Sequence, residues 1–407
     1  MSDRIRRLVL VASVSLIAGV GAACARRSAP DASVDRPSDA ALVAEGRDVF
    51  RFDTFGDEAF WTDTARLHEV IATSVSPKTA LQVGLKVDAE ALPREVRDAI
   101  AAGEVDLDDP ATTVTLLRLG AVVGVIGSVS RVGGQDRLTS VGITCAICHS
   151  TVDDSFAPGI GARLDGWPNR SLDVGAIIAL SPAVPEAQKA VYRSWGPGMY
   201  DPRFNFDGQS LPVVIPPAFG LAGVRKEIYT ADDTISYWNA YVAVTQMHGV
   251  GRFVDPRLGI SVDRRPDRVT PKLDALRAYQ HSLPTPPPAA GSFDVAAAER
   301  GRALFDGVAG CATCHIPGES FTDVNRGRLH TATEAGQSAA YAERSVTRRY
   351  RATPLRALWR PPHLTGPYFH DGSAASLDDV VGHYVQLRGL SLTAGQRADL
   401  VEYLKTL

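Results

Sequence analysis

Two short stretches of the chain carry cysteine and histidine at a chemically meaningful spacing, Cys-x-x-Cys-His, and they begin at residues 145 and 311. Residues three apart share one face of a helical turn, so both thiols can reach the two vinyl groups on one porphyrin edge. The histidine that follows then lies beneath the ring, where its imidazole can bind the iron. The spacing therefore predicts two covalent c-type haems. The predicted thioether residues are Cys145, Cys148, Cys311 and Cys314, and the predicted iron ligands are His149 and His315.

A zinc site and a redox dithiol are the alternative interpretations of each stretch. A zinc ribbon needs two paired half-sites that form one tetrahedron, but here the pairs are far apart and each has its own histidine. A redox dithiol follows a strand in a βαβ unit, and no such pattern surrounds either stretch. The sequence therefore favours haem over both alternatives.

The second axial position of each iron decides whether a haem only transfers electrons or also reacts with a substrate. The chain has three methionines, Met1, Met199 and Met247, so nothing after His315 supplies thioether sulfur. The candidates for the second haem are His330, His363, His370, His383 and Tyr384. The candidates for the first haem are Met247, Met199, His248 and His68. Met247 lies at the end of a predicted helix, which can aim its side chain, although core packing is the competing role for a methionine there.

Composition bounds the class of protein. At 407 residues, 45% hydrophobic and 22% charged, the chain can form two soluble domains with their own cores. The net charge of −3 gives no reason to expect nucleic acid as a partner. Four of the five cysteines belong to the haem stretches, which leaves Cys24 without an intrachain disulfide partner.

The N-terminus has the pattern of an export signal over residues 1–24. Arg4, Arg6 and Arg7 precede the apolar run 8–20, which is too short to span a bilayer. Ala22-Ala23-Cys24 is similar to the end of a bacterial lipoprotein signal, with Cys24 as the lipidated residue, and ordinary signal cleavage is the alternative. Residues 25–45 are polar and predict a flexible tether. We therefore expect a periplasmic protein, anchored to a membrane only through a lipid on Cys24.

The elements that position the haem stretches are mainly helical. Apolar spacing predicts helices over 57–75, 92–102, 109–120, 186–195, 235–247, 272–281, 294–305 and 393–407. The segments 121–130 and 138–143, separated by Gly133-Gly134-Gln135-Asp136, predict a small β-hairpin before the first haem. A proline run over 283–288 (Leu-Pro-Thr-Pro-Pro-Pro) marks a domain boundary. The predicted fold is mainly α, with loop-rich insertions and two cytochrome c-like haem domains over 46–283 and 289–407, in which Gly301 lies close to Tyr403 and Leu404.

Two further segments, 350–356 (Tyr-Arg-Ala-Thr-Pro-Leu-Arg) and 366–372 (Gly-Pro-Tyr-Phe-His-Asp-Gly), resemble the bacterial dihaem cytochrome c peroxidase superfamily. This superfamily includes the related dihaem enzyme that matures methylamine dehydrogenase. The resemblance covers about the last 120 residues and is loose in the first domain. It implies two haems close enough to exchange electrons.

The resemblance also implies roles for particular residues. Tyr384 stands where the peroxidases have a ligating methionine, which is similar to the tyrosine-ligated branch and agrees with the methionine count. Arg356 would pair with a haem propionate, and a solvated position is the alternative. Asp201, Asn205, Asp207 and Gly208 only superficially match the calcium site of some relatives.

Some expected features of these relatives lack a clear counterpart. The relatives have acidic and glutamine side chains near the haem that cleaves peroxide. In this chain, Asn239 and Gln246 are the only candidates to replace them. A tryptophan lies between the haems in relatives, and the sequence does not single out one from the five at positions 61, 167, 195, 238 and 359.

These observations support a periplasmic dihaem electron-transfer oxidoreductase that resembles cytochrome c peroxidase. Its expected partners are a small redox protein or quinol-linked electron donor and a small oxidant such as peroxide. A non-enzymatic electron-transfer cytochrome with two six-coordinate haems is the main alternative, and a haem-bearing binding or sensing subunit is the third.

Overall fold

A computed structural model describes residues 40–360, 364 and 366–407. The predicted export signal, Cys24, most of the predicted tether and the candidate ligand His363 lie outside the described residues. The first described helix begins at Ala40, so the last six residues of the predicted tether, 40–45, are helical and that boundary was wrong. We call the part before the proline run the first half and the part after it the second half.

The described residues are mainly helical, as predicted. The α-helices of the first half are Ala40–Phe52 (α1), Leu67–Ser74 (α2), Pro77–Gln82 (α3), Arg94–Ala101 (α4), Pro110–Arg118 (α5), Ala146–His149 (α6), Val174–Ile178 (α7), Glu186–Arg193 (α8), Phe204–Asp207 (α9), Ile235–Thr245 (α10) and Leu273–Ser282 (α11). Those of the second half are Val295–Asp306 (α12), Ala332–Ala335 (α13), Ala339–Glu343 (α14), Leu377–Arg388 (α15) and Ala394–Leu404 (α16). Short 3-10 turns, among them Cys311–Thr313, connect several of them.

One predicted helix, over 57–75, is broken in two. A π-helical turn covers Ala59–Thr64 and α2 begins at Leu67. Arg66 between them has a φ of 56°, a left-handed backbone conformation that no helix continues through. The predicted start at Asp109 is confirmed, because its side chain accepts a hydrogen bond from the Ala111 N–H and so caps α5.

The predicted hairpin is confirmed as Val125–Val132 (β2) paired antiparallel with Gln135–Ile143 (β3). Gly133 and Gly134 form its tight turn with φ of 59° and 85°, which glycine adopts without strain. The other strands are Val87–Asp88 (β1), Ser150–Val152 (β4), Ile160–Gly161 (β5), Arg163–Asp165 (β6), Met199–Tyr200 (β7), Val213–Val214 (β8), Arg252–Asp255 (β9) and Ile260–Asp263 (β10). They form two-stranded ladders: β1 with β5 in parallel, and β4 with β6, β7 with β8 and β9 with β10 antiparallel.

Each half contains one closely crossed helix pair. In the first half α1 crosses α11, and a Cβ on Gly46 would lie 1.8 Å from the Ala275 carbonyl oxygen. In the second half α12 crosses α16, and a Cβ on Gly301 would lie 2.0 Å from the Asp399 carbonyl oxygen and 2.8 Å from Tyr403 Cβ. The predicted approach of Gly301 to Tyr403 is therefore confirmed. Only glycine allows two helix backbones to come this close.

An aromatic contact supports each crossing. Phe50 and Tyr279 have ring centroids 5.4 Å apart, and Phe305 and Tyr403 have centroids 5.1 Å apart. Phe50 and Phe305 are fully buried, and burying each such ring stabilises the fold by about 1.5–3 kcal/mol. Each pair thus anchors a hydrophobic cluster in its own half.

A separate cluster in the first half packs the hairpin against α2 and α5. All described residues nevertheless belong to one compact unit, so the boundary between two haem domains stays a prediction. Among the described residues, no helix is both long and apolar enough to cross a membrane.

Candidate functional site

The first Cys-x-x-Cys-His stretch forms one helical turn directly after the hairpin. Cys145 is the N-cap residue of α6, and its carbonyl oxygen accepts the His149 backbone N–H at 3.2 Å. The hairpin approaches this turn closely, because a Cβ on Gly124 would lie 2.1 Å from the Ile147 nitrogen. Burial raises the pKa of both Cys145 and Cys148 to about 12, so both thiols stay protonated at neutral pH.

The His149 imidazole is held by its Nδ1 atom, which lies 3.0 Å from the Pro216 carbonyl oxygen. A carbonyl oxygen only accepts, so Nδ1 carries the proton and Nε2 keeps the lone pair that binds a metal. Burial lowers the pKa of His149 to about 4, partly opposed by the Pro216 hydrogen bond. The imidazole is therefore neutral at pH 7, which is the form that binds a metal.

The second stretch repeats this arrangement. Cys311 begins a 3-10 turn, and its carbonyl oxygen accepts the His315 backbone N–H at 2.9 Å. The His315 Nδ1 atom donates to the Phe321 carbonyl oxygen at 3.0 Å, and burial lowers the pKa of this imidazole. Both predicted iron ligands thus have the same tautomer, held by a backbone carbonyl, with Nε2 available.

A cavity of about 280 Å³ lies beside the second stretch. Cys311, Cys314 and His315 line it on one side together with buried apolar side chains of α12, α15 and α16. Pro217 and Phe219 of the first half line it on another side. A predominantly apolar cavity next to two thiols and a neutral imidazole suits a flat apolar cofactor attached through sulfur.

Tyr384 on α15 faces this cavity. Tyr384 is half-buried, and its hydroxyl forms no hydrogen bond with any of the described residues. Burial raises the pKa of Tyr384 to about 12, and Arg388 one turn later partly opposes this rise. An unpartnered phenol oxygen in a cofactor-sized cavity is suited to bind a metal.

The other candidates for the second axial position are less suited to it. His330 Nε2 lies 3.0 Å from an oxygen of the buried Asp323 carboxylate. His370 has both ring nitrogens in hydrogen bonds, Nδ1 to Gln337 and Nε2 to Tyr350. His383 Nε2 is buried without a partner, but this residue is not part of the cavity lining and packs against Phe369.

Cys314, Asp323 and His330 bring three ligand atoms within 4.8 Å of one another. Cys311 and His315, the other members of the same stretch, are not part of this group. A structural zinc site normally has four ligands, so the arrangement does not favour the zinc interpretation of this stretch.

Four arginines line the cavity and give it positive charge: Arg170, Arg351, Arg356 and Arg388. Arg356 lines it and has no hydrogen-bond or ion-pair partner among the described residues, and burial lowers the pKa of its guanidinium. Arg351 also lines it; its Nη1 donates to the Lys226 carbonyl oxygen at 2.9 Å, while its Nε is buried without a partner. Buried guanidinium groups without acidic partners suit an anionic group such as a carboxylate.

The two stretches share a thin wall. The Asn169 backbone N–H donates to the Cys148 carbonyl oxygen at 2.9 Å, and the adjacent Pro168 lines the second cavity. Likewise, Pro216 accepts from His149 while the adjacent Pro217 lines the second cavity. This wall, residues 168–169 and 216–217, is the part of the molecule that lies between the two sites.

Trp167 is the tryptophan next to that wall. It packs against Phe219, with ring centroids 5.7 Å apart, and the Arg360 guanidinium lies 3.1 Å from its ring centroid. The Trp61 indole instead donates to the Met247 carbonyl oxygen. Its position beside the wall therefore distinguishes Trp167 from the other tryptophans, a distinction that the sequence did not provide.

The candidate axial ligands near the first stretch lie in different surroundings. Met247 is buried in the same hydrophobic cluster that Cys145 packs against, which places it near the first stretch. His248 stacks on Phe60 at 3.5 Å, and Met199 lies in β7. Burial lowers the pKa of His248 to about 4.

The two amide candidates, Asn239 in α10 and Gln246 directly after it, differ in their partners. Gln246 Oε1 accepts from the buried Tyr200 hydroxyl at 2.5 Å, and Tyr200 lies close to Cys148. Asn239 exchanges hydrogen bonds with Gln280 of α11 at 2.7 and 3.2 Å. Gln246 therefore lies near the first stretch, whereas Asn239 ties two helices together.

The acidic residues considered for calcium already have a cationic partner. Arg344 donates to the carboxylates of both Asp201 and Asp207. Arg203 beside them forms a buried ion pair with Asp232 at 2.6 Å. Calcium thus gains no support, since a guanidinium already neutralises these carboxylates.

Comparison with known proteins agrees with the resemblance carried by the second half. No family model matches the chain. The methylamine utilization protein MauG of Methylorubrum extorquens is 35% identical over 125 residues, or 27% of this chain. The match covers 34% of MauG, so the chain spans about a third of the length of this curated relative. It confirms the predicted resemblance to the dihaem cytochrome c peroxidase superfamily.

A structure of hydrazine synthase from Kuenenia stuttgartiensis, pressurized with xenon, is also similar. The identity is 20%, the TM-score is 0.34, and the match covers 48% of this chain and 72% of that one. A score of this size carries no argument about function.

Proposed function

We propose that this chain is an exported dihaem c-type oxidoreductase that resembles cytochrome c peroxidase. Its thioether residues are Cys145 and Cys148 for the first haem and Cys311 and Cys314 for the second. His149 and His315 bind the irons through Nε2. When bound, such haems supply one-electron transfer and, where an axial position is weakly held, reaction with a small oxidant such as peroxide.

The observation that carries this proposal is the repeated tautomer of the two histidines. In each stretch Nδ1 donates to a backbone carbonyl, which fixes the ring and leaves Nε2 for a metal. Neither a zinc ribbon nor a redox dithiol needs a histidine in this position. The apolar cavity borders Cys311, Cys314 and His315, which is where a porphyrin attached through these thiols would lie.

Three further residues complete the proposed sites. Tyr384 is the second axial ligand of the second haem, supported by its unpartnered hydroxyl on the cavity wall. Arg356 binds a propionate, supported by its position on that wall without an acidic partner. Met247 is the proposed axial ligand of the first haem, supported by the hydrophobic cluster that it shares with Cys145.

The broader assignments follow from the same proposal. Covalent haems, the signal pattern and the resemblance together support a periplasmic location, with a lipid on Cys24 as a further option. The crossed helix pairs support two haem domains over 46–283 and 289–407. The thin wall suits electron exchange between the haems, with Trp167 beside it. A small redox protein or a quinol-linked donor would supply the electrons.

Haem content tests the proposal directly. We expect protein co-produced with the c-type maturation machinery to gain the mass of two haems and to show a c-type pyridine haemochrome. Replacing Cys145 and Cys148 with alanine should remove one haem, and replacing Cys311 and Cys314 should remove the other. Colourless wild-type protein, or two haems retained in either double variant, would contradict the proposal.

The axial ligands are tested by a matched pair of substitutions. Tyr384→Phe should change the optical and spin-resonance spectrum of the second haem alone, because it removes the proposed ligand oxygen and keeps the ring. Met247→Leu should change that of the first haem alone. An unchanged spectrum removes the corresponding assignment and leaves the haem attachment intact.

Peroxide separates enzyme from electron carrier. High-spin ferric signal and rapid reaction with hydrogen peroxide favour the oxidoreductase. Two low-spin haems that do not react with peroxide favour the electron-transfer cytochrome. A ligand-dependent spectral change without turnover favours a sensing subunit.

A further inference from the structure

A histidine and a tyrosine form a buried hydrogen-bonded pair on the wall of the second cavity. His370 and Tyr350 are only 4% and 3% exposed, and both line the cavity. His370 Nε2 lies 3.3 Å from the Tyr350 hydroxyl oxygen. His370 Nδ1 lies 2.8 Å from Gln337 Oε1, and the Tyr350 hydroxyl also lies 2.7 Å from the Ser338 carbonyl oxygen. Each polar atom of the pair therefore has a partner.

This arrangement satisfies both protonation states of the imidazole. Gln337 Oε1 only accepts, so His370 Nδ1 always carries a proton. In neutral His370 the Nε2 lone pair accepts the Tyr350 O–H. In protonated His370 the Nε2–H donates to the Tyr350 oxygen, while the Tyr350 O–H turns to the Ser338 carbonyl. One hydroxyl rotation thus moves between the two states without leaving a buried donor or acceptor unpaired.

We propose that His370 and Tyr350 form a proton-uptake site that is coupled to the redox state of the second haem. A proton from solvent binds His370 Nε2, the Tyr350 hydroxyl turns to Ser338, and no other bond forms or breaks. Gln337 is the positioning residue that fixes the imidazole tautomer. This inference rests on the proposed second haem, because the cavity that the pair lines is the one assigned to that haem.

The reason to couple protonation of this pair to reduction of the haem is electrostatic. An electron added to a group inside a cavity of low dielectric constant is costly unless a positive charge accompanies it. His370 faces Tyr229 and Tyr341 as well as Tyr350, and all three are neutral at pH 7; the charge that it feels is that of the adjacent Asp371. Burial lowers the pKa of His370 and Asp371 partly opposes this, so the imidazole is neutral at pH 7 and free to take up a proton.

The pair also has a route to solvent. Gln337 and Ser338 are partly exposed, and Asp371 is exposed directly after His370. A proton can therefore reach the buried imidazole without crossing the interior of the molecule.

Two substitutions with opposite expected effects, and a third as control, test the proposal in the holoprotein. The midpoint potential of the second haem is measured as a function of pH. The pH at which the slope of this curve changes, called the bend below, marks the pKa of the group whose protonation is coupled to reduction of the haem. Tyr350→Phe should move the bend to lower pH by about one unit, because protonated His370 would bury an unpaired N–H. Gln337→Glu should move it to higher pH, because a carboxylate on Nδ1 favours the charged imidazole. Tyr341→Phe, the control, keeps the ring that packs on His370 and should leave the bend in place.

Redox-induced infrared difference spectra of ¹⁵N-histidine-labelled protein provide a second measurement. Isotope-sensitive imidazole bands should appear in the wild type and disappear in His370→Gln. The proposal is overturned if the wild type shows no bend, if Tyr350→Phe and Gln337→Glu shift it in the same direction, or if the bands survive in His370→Gln. Protein without a second haem would overturn the proposed function as well, whereas a haem with no such bend would overturn only this inference.

Discussion

The two crossed helix pairs have the same glycine and aromatic contacts and differ in the side chains that surround them. Both contain Gly-Arg-x-x-Phe, at 46–50 and 301–305, and in both the phenylalanine meets a tyrosine of the partner helix. In the first half the Tyr279 hydroxyl also donates to the buried Asp165, at 2.5 Å. In the second half the Tyr403 hydroxyl has no hydrogen-bond partner among the described residues. The glycine and the aromatic contact are thus enough to set the crossing.

The additional contact in the first half belongs to a charged cluster. Asp165 also accepts hydrogen bonds from Arg51, Arg163 and Ser150. Ser150 directly follows His149, so the cluster ties α1 and α11 to the segment that leaves the first haem stretch. The first half thus has a direct polar connection between its helix pair and its Cys-x-x-Cys-His stretch.

Gly46→Val and Gly301→Val should have the largest effect. Either Cβ would lie 2.0 Å or less from a backbone oxygen, so the helices must separate, at a cost of at least about 3 kcal/mol in the free energy of unfolding. Urea unfolding of the holoprotein measures it. Gly382→Ala is the control, because nothing lies within 4 Å of the added carbon and helix propensity favours alanine by about 1 kcal/mol. Equal stability of the control and either valine variant would contradict the common design.

Asp165→Asn should have the next largest effect. Its carboxylate is 4% exposed and forms an ion pair with Arg163, which is 6% exposed. A neutral amide at this position leaves the buried guanidinium without a counter-charge, which should lower the free energy of unfolding by about 3 kcal/mol. Asp399→Asn removes the partner of the exposed Arg300 and should leave unfolding unchanged. Similar losses in both variants would show that the charged cluster is not what distinguishes the halves.

Tyr279→Phe and Tyr403→Phe sharpen the comparison at equivalent positions. Tyr279→Phe removes one hydrogen bond to Asp165 and should lower the free energy of unfolding by about 1 kcal/mol. Tyr403→Phe removes a hydroxyl without such a bond, so the loss should be smaller. Thermal unfolding of both variants against wild type measures the difference, and the reverse order would contradict this account.

The smallest expected effect is a change in how stability depends on acidic pH. Burial alone would raise the pKa of Asp165, but Arg163 and the hydrogen bonds to the carboxylate outweigh it and lower the pKa. A lowered folded-state pKa contributes stability above the unfolded value of about 3.9, and this is lost as the pH falls through the folded value. Stability should therefore fall less steeply below about pH 4 in Asp165→Asn than in wild type. Identical slopes in an acid titration followed by circular dichroism would contradict it.

Sequence reasoning succeeded where the signal was local. Apolar periodicity predicted α10, α12 and α16, and Gly133-Gly134 predicted the hairpin. It missed α1 altogether, because an interior glycine and a polar flank look like a break, and only the crossing with α11 explains Gly46.

The candidate site was predictable in part for the same reason. Methionine counting reduced the second axial ligand to five residues, and Tyr384 was singled out by the resemblance. The engagement of both His370 nitrogens became visible only through Gln337 and Tyr350, which come from other segments. The share of Pro217 and Phe219 in the second cavity has no local signal, because it depends on how the two halves meet.

That shared cavity constrains the biogenesis of the protein. Pro217, Phe219 and Tyr229 close it from the first half, while Cys311 and Cys314 lie on the opposite segment. A rigid macrocycle could not enter this cavity once the two halves had packed around it, so the proposed ligation at these cysteines would have to precede that packing. We expect cells without the ligation enzymes to accumulate a protease-sensitive polypeptide that later addition of free haem does not rescue.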